Sequence, residues 1–119
     1  MRPHPAFAFA AIVLATTGCH SPYVDATVSN RTSQPILLLE VDYPSASFGT
    51  QNLAPGAELH YRFKVLGSGN MKVLYTDNAH ADHTASGPSL KEGAEGPLAI
   101  GITPSGVTWQ ASPTVAASR

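Results

Sequence analysis

The sequence predicts an all-β sandwich, and three observations carry that reading. Residues 57–65 alternate without a fault, with Ala57, Leu59, Tyr61, Phe63 and Val65 on one face and Glu58, His60, Arg62 and Lys64 on the other. Successive side chains of a strand point to opposite faces, so a period of two marks a strand with one wet side. Segments of the same kind recur along the chain at near-regular spacing, separated by glycine and proline turns. Between residues 24 and 110 no eleven-residue window carries the i, i+3, i+4, i+7 apolar pattern of a packed helix. One-sided alternation belongs to antiparallel sheets, which predicts an antiparallel sandwich of about seven strands.

The first strand is read from Val24, Ala26 and Val28, which alternate with Asp25, Thr27 and Ser29. In 36–43, Leu37, Leu39, Val41 and Tyr43 oppose Ile36, Leu38, Glu40 and Asp42. Apolar residues on both faces at its start predict a central strand covered there. Residues 46–53, around Phe48 and Leu53, alternate more weakly, as do residues 80–86. In the strand 57–65, Leu59, Tyr61 and Phe63 are expected to meet Leu39 and Val41 in the core. Met71, Val73 and Tyr75 alternate with Lys72, Leu74 and Thr76; Leu98, Ile100 and Ile102 alternate with Ala99, Gly101 and Thr103. A short last strand carries Val107 and Trp109. Turn residues fall between these runs at Asn30–Pro35, Pro55-Gly56, Gly67–Asn70, Gly93–Pro97 and Pro104–Gly106.

Ahead of the strands stands a segment of another kind. Arg2 is followed by an apolar run from Ala6 to Ala15, then by the small residues Thr16, Thr17 and Gly18 before Cys19, the single cysteine. A basic start, a short apolar stretch and a small-residue cleavage site make residues 1–18 read as a secretory signal peptide. A spanning helix needs about 20 apolar residues, twice what is present. The Gly18-Cys19 junction resembles the lipobox of bacterial lipoproteins, although Thr16 stands where that family prefers Leu. The resemblance implies cleavage before Cys19 and lipid attachment to its thiol. It also implies a membrane anchor through the N-terminus and, since His20 rather than Asp follows the cysteine, sorting to an outer membrane. Residues 19–23 then form a short tether, 24–110 the domain, and the small, aperiodic residues 111–119 a disordered tail.

Composition excludes several functions. The formal net charge is −1 with 13% charged residues, far from the basic stripe that nucleic-acid binding requires. One cysteine excludes an intrachain disulfide framework. Asn30-Arg31-Thr32 matches a glycosylation triplet, which also arises by chance.

The sequence from Val28-Ser-Asn30 through Gln34-Pro35-Ile36 and Val41-Asp-Tyr-Pro44 to Leu53-Ala-Pro-Gly56 resembles small immunoglobulin-like modules of bacterial envelope proteins. The similarity implies an immunoglobulin-like sandwich at the cell envelope and carries over no catalytic residues. The expected function is a non-catalytic, lipid-anchored envelope module, without cofactor, that binds or scaffolds another component, a protein or polysaccharide.

Three constellations can carry chemistry. His80-Ala81-Asp82-His83 offers imidazole and carboxylate groups of the kind that hold copper or zinc. In an extended strand His80 and Asp82 would share a face and His83 would point away, which leaves a polar loop as the other reading; the alternative function is periplasmic metal binding. Tyr43 and Phe48 flank Pro44 as anchors for a partner or, alternatively, enter the core. The Glu58, His60, Arg62, Lys64 face can pair with Glu40 and Asp42 across strands. No Gly-x-Ser-x-Gly and no phosphate loop is present, so the chain is expected not to be an enzyme.

Overall fold

The computed structural model describes residues 22–111. Eight strands occupy them: β1 (Val24–Asn30), β2 (Ile36–Tyr43), β3 (Ala46–Leu53), β4 (Glu58–Phe63), β5 (Gly69–Thr76), β6 (Asp82–Leu90), β7 (Gly96–Thr103) and β8 (Gly106–Ala111). They form two four-stranded sheets, in the orders β4-β1-β7-β8 and β3-β2-β5-β6. The expected signal peptide (residues 1–18), Cys19 and residues 112–119 lie outside the described residues. Ala111, expected in the tail, instead ends β8 opposite Leu98.

The chain reverses at every connection, so odd-numbered strands run one way and even-numbered strands the other. Strands β1 and β7 are both odd and adjacent, and their pairing, Val24↔Gly96 to Asn30↔Ile102, is parallel. The expected antiparallel sandwich is present, with this one pair parallel. All other neighbours are antiparallel. Alternation reports that one face is wet, and it cannot report which strand lies alongside.

The core follows from the alternation. Val24, Ala26 and Val28 of β1, Leu98, Ile100 and Ile102 of β7, Leu39 and Val41 of β2, and Met71 and Val73 of β5 fill the space between the sheets. The central place of β2, between β3 and β5, agrees with its apolar start. Its cover does not: Ile36 is buried but Leu38 is 50% exposed. At the Leu37–Asn52 position the β2–β3 ladder is interrupted and Asn52 adopts φ 53°, so Ile36 and Leu53 turn inward while Leu38 and Gln51 stay outward. Gly49 lies farther along β3, where a Cβ would run into the Leu39 carbonyl.

Asn30 is the buried polar residue of the core, 1% exposed. Its Nδ2 donates to the carbonyls of Gln34 and Leu53, both at 2.9 Å, and its Oδ1 accepts from Thr32 N and Oγ1 at 2.9 and 2.7 Å. Every bond an asparagine amide can make is thus formed, which pins the β1–β2 and β3–β4 connections together. The glycosylation triplet is a turn lock, with its amide nitrogen committed inside the protein.

Candidate functional site

The loops β1–β2, β5–β6 and β7–β8 meet at the end of the sandwich opposite the point where the chain enters. Between them opens a cleft of about 320 Å³, floored by Pro35, Ile36 and Tyr75 and rimmed by Asp77, Asn78 and His83. The β5–β6 turn is organised by Asp77. Its Oδ1 accepts from Ala79 N at 2.8 Å and Ala81 N at 3.0 Å, and its Oδ2 meets His83 Nε2 at 2.8 Å. The His83 ring lies flat on Tyr75, centroids 4.6 Å apart, so the pair and its ring stack form one rigid wall.

His80, Asp82 and His83 separate. His80 sits in the turn with φ 67°, not on a strand face with Asp82 as the sequence suggested. The reversal from Asp77 to Asp82 needs a left-handed residue there. Asp82 points to the outer face and accepts from Thr76 Oγ1 at 2.7 Å, while His83 points to Asp77. Among the described residues no three His, Cys, Asp or Glu side chains gather as a metal-binding group.

Asp77 carries the clearest electrostatic signature of the cleft. The His83 hydrogen bond, followed by that from the Ala81 amide, holds its carboxyl below the ordinary value of 3.8. A carboxyl depressed in the folded state adds stability that is present above its unfolded pKa and is lost as pH falls through the folded value. Asp77→Asn should therefore melt at a lower temperature than the wild type at about pH 6, with the gap closing once the pH drops well below the usual carboxylate range. A gap unchanged by acid in thermal melts would contradict the pairing. Glu40, on the outer face of β2, has the opposite sign. Its carboxyl is raised chiefly by the hydrogen bond to Asp42 and that residue's charge, against the pull of Lys72. Acidification through its folded value relieves that repulsion and favours the fold.

Tyr43 and Phe48 both turn inward. Phe48 is 9% exposed and stacks on Tyr61 at 4.4 Å; Tyr43 stacks on Phe63 at 4.0 Å. These rings close the side of the sandwich where edge strands β3 and β4 face each other. The ring presented to solvent there is Tyr61, 42% exposed, which corrects its expected place in the core. A residue facing inward on an edge strand is covered from one side only.

The charged face of β4 also finds partners other than those expected. Arg62 pairs with Asp25 at 3.6 Å and covers the Tyr23 ring at 4.2 Å; Glu58 accepts from Ser29 at 3.2 Å; His60 meets Thr27 at 3.1 Å. All lie on β1 or just before it, because β4 pairs with β1 and Glu40 and Asp42 belong to the other sheet. Alternation assigns a residue to a face but leaves the choice of sheet open.

Asp77 and Tyr75 were not singled out in the sequence. The signal for the first was the Thr76-Asp77-Asn78 turn chemistry, a side chain able to bond the backbone two residues on. No sequence signal distinguishes Tyr75 from a core ring.

Comparison with known proteins supports the architecture. An NMR structure of a protein from Eubacterium rectale superposes with a TM-score of 0.57, covering 79% of this chain and 94% of that one, at 13% identity. At that identity the likeness shows the all-β fold alone. No family model and no curated protein matches the sequence.

Proposed function

We propose that this chain is a non-catalytic module, exported and held at the cell envelope by lipid on Cys19, which binds another envelope component through its far end. The observation that carries the reading is the separation of the two ends. The described chain enters beside Phe63 and Gly96, whereas the cleft of Tyr75, Asp77, Asn78 and His83 opens at the other extreme. An anchor at one end and, at the other, an open cleft with an apolar floor and a polar rim suit display toward a partner, an envelope protein or polysaccharide. An outer-membrane location, resting on His20 after the cysteine, belongs to the same proposal.

Strand order supports the finer immunoglobulin-like reading. The order β3-β2-β5-β6 follows C′-C-F-G of a variable-type sheet, and β4-β1 follows E-B. Strand β7 stands beside β1, where strand A would be. The engagement of His83 with Asp77 and Tyr75 supports a binding wall over a reacting group.

Two measurements test the proposal. In cells fed a palmitate analogue, the wild type should take up the label and sediment with membranes. Cys19→Ala should lose the label and appear in the soluble fraction or remain unprocessed. A photo-crosslinking residue at Asn78 should capture one envelope component, and the same residue at Thr108, on the outer face of the other sheet, should not. Equal capture at both positions would refute the cleft as the binding site.

A further inference from the structure

We infer that the end of the sandwich carrying Leu66 rests on the lipid surface, so that the cleft at the opposite end is held facing away from the bilayer. The inference rests on the proposed lipid at Cys19 and adds an orientation and a second membrane contact to it. Tyr23 lies four positions after Cys19, with three residues between them. Fully extended, four residues span at most about 14 Å, so this end of the domain cannot leave the neighbourhood of the headgroups.

Tyr23 is tied to the domain on both sides. Its carbonyl accepts from Gly96 N at 2.9 Å, and the Arg62 guanidinium covers its ring. The β2–β3, β4–β5 and β6–β7 connections converge on the same end. Ser45 Oγ bridges the Lys64 carbonyl at 3.5 Å and the Leu66 amide at 3.3 Å. Gly93 N donates to the Val65 carbonyl at 3.2 Å, and Ser68 Oγ accepts from Glu92 N at 3.3 Å.

On this braced platform Leu66 is 59% exposed, the largest exposure among the large exposed hydrophobics of the described residues. Its neighbour Val65 is 1% exposed, so one residue of the pair fills the core and the next projects from the tip. The flanking loops carry cations at Lys64 and Lys91 and anions at Glu92 and Glu95. With both signs present, charge neither draws this end to an anionic surface nor repels it strongly, and apolar contact by Leu66 decides. An apolar side chain beside a lipid anchor enters the headgroup and acyl boundary, where it leaves water without a partner protein.

The single native cysteine makes the test direct, because acylation consumes its thiol and any introduced thiol is then unique. The full chain, with acylation of Cys19 verified by mass spectrometry, is placed in phosphatidylcholine–phosphatidylglycerol vesicles. It carries an environment-sensitive fluorophore on either Leu66→Cys or Ala79→Cys, the second lying in the β5–β6 turn at the far end. A quencher on the lipid acyl chains should quench the label at 66 severalfold more than that at 79 and shift its emission to the blue. Equal quenching at both sites in acylated protein overturns the orientation and leaves the anchor standing. An unmodified Cys19 removes the anchor, and the inference falls with it.

Discussion

Phe63→Ala should lower the unfolding free energy by about 3–5 kcal/mol, because deleting a buried aromatic loses its transfer energy and leaves a cavity that a stacked cluster fills poorly. Phe63 is 3% exposed. Its ring lies on Tyr43 at 4.0 Å and within 5.9 Å of Phe48, and it is paired through its backbone with Val24 at the start of β1. The substitution therefore loosens the join between the two sheets as well as one contact. Domains of this size hold together with about 5–15 kcal/mol in total, so the variant is expected to be partly unfolded near body temperature. Arg62→Ala, one residue away on the wet face, should cost no more than about 1 kcal/mol, since an exposed ion pair and an exposed cation–π contact are each small. Urea unfolding of both variants checks the assignment of faces. Equal losses would mean that the alternation of β4 does not set which side chains carry stability.

Asn30→Ala should cost about 3 kcal/mol, more than its small size suggests, because it leaves the Leu53 carbonyl and the Thr32 amide without their partners. The four hydrogen bonds of Asn30 join two connections that are distant in sequence, and the Asn30 carbonyl also accepts from Gly56 N at 2.8 Å. Asn30→Asp keeps the shape but exchanges two donors for a buried charge, and should be at least as harmful. Asn78→Ala is the control. Its single side-chain bond, to Gln34 at 3.4 Å, is exposed, and its loss should stay within about 0.5 kcal/mol. An Asn30→Ala variant that unfolds at the wild-type urea concentration would show that the turn lock contributes nothing.

The inward rows of β1, β5 and β7 were legible because each has apolar neighbours at a strict period of two, and burial enforces that period along a central strand. Edges behaved differently. Tyr61 obeys the alternation of β4 and still meets solvent, since no strand lies beyond β4 to cover it. Ile36 breaks the alternation expected of β2, turning inward with Leu39 and Val41 because the ladder is interrupted at Leu37–Asn52, where Asn52 of the neighbouring strand adopts a positive φ. Within the candidate cleft, Asp77 and His83 are six residues apart and meet because the β5–β6 hairpin folds back on itself. His80 and Asp82, closer in sequence, are parted by that same turn.

By itself the sequence determined what local chemistry controls: an all-β chain, the positions of its turns, most of the core-facing rows, and a leading segment whose order of charge, apolar run and Gly18-Cys19 is the reason to expect export. Only the tertiary structure decided which strands are neighbours. It set β7 parallel beside β1, matched Arg62 with Asp25 where a sequence reading offered Glu40 and Asp42, and assembled a cleft from three separate loops. The physical reason is that side-chain alternation records how each strand divides core from water, a one-dimensional signal. Pairing and convergence depend on backbone hydrogen bonds, which every residue can accept and all but proline can donate, and which therefore leave little mark on residue type.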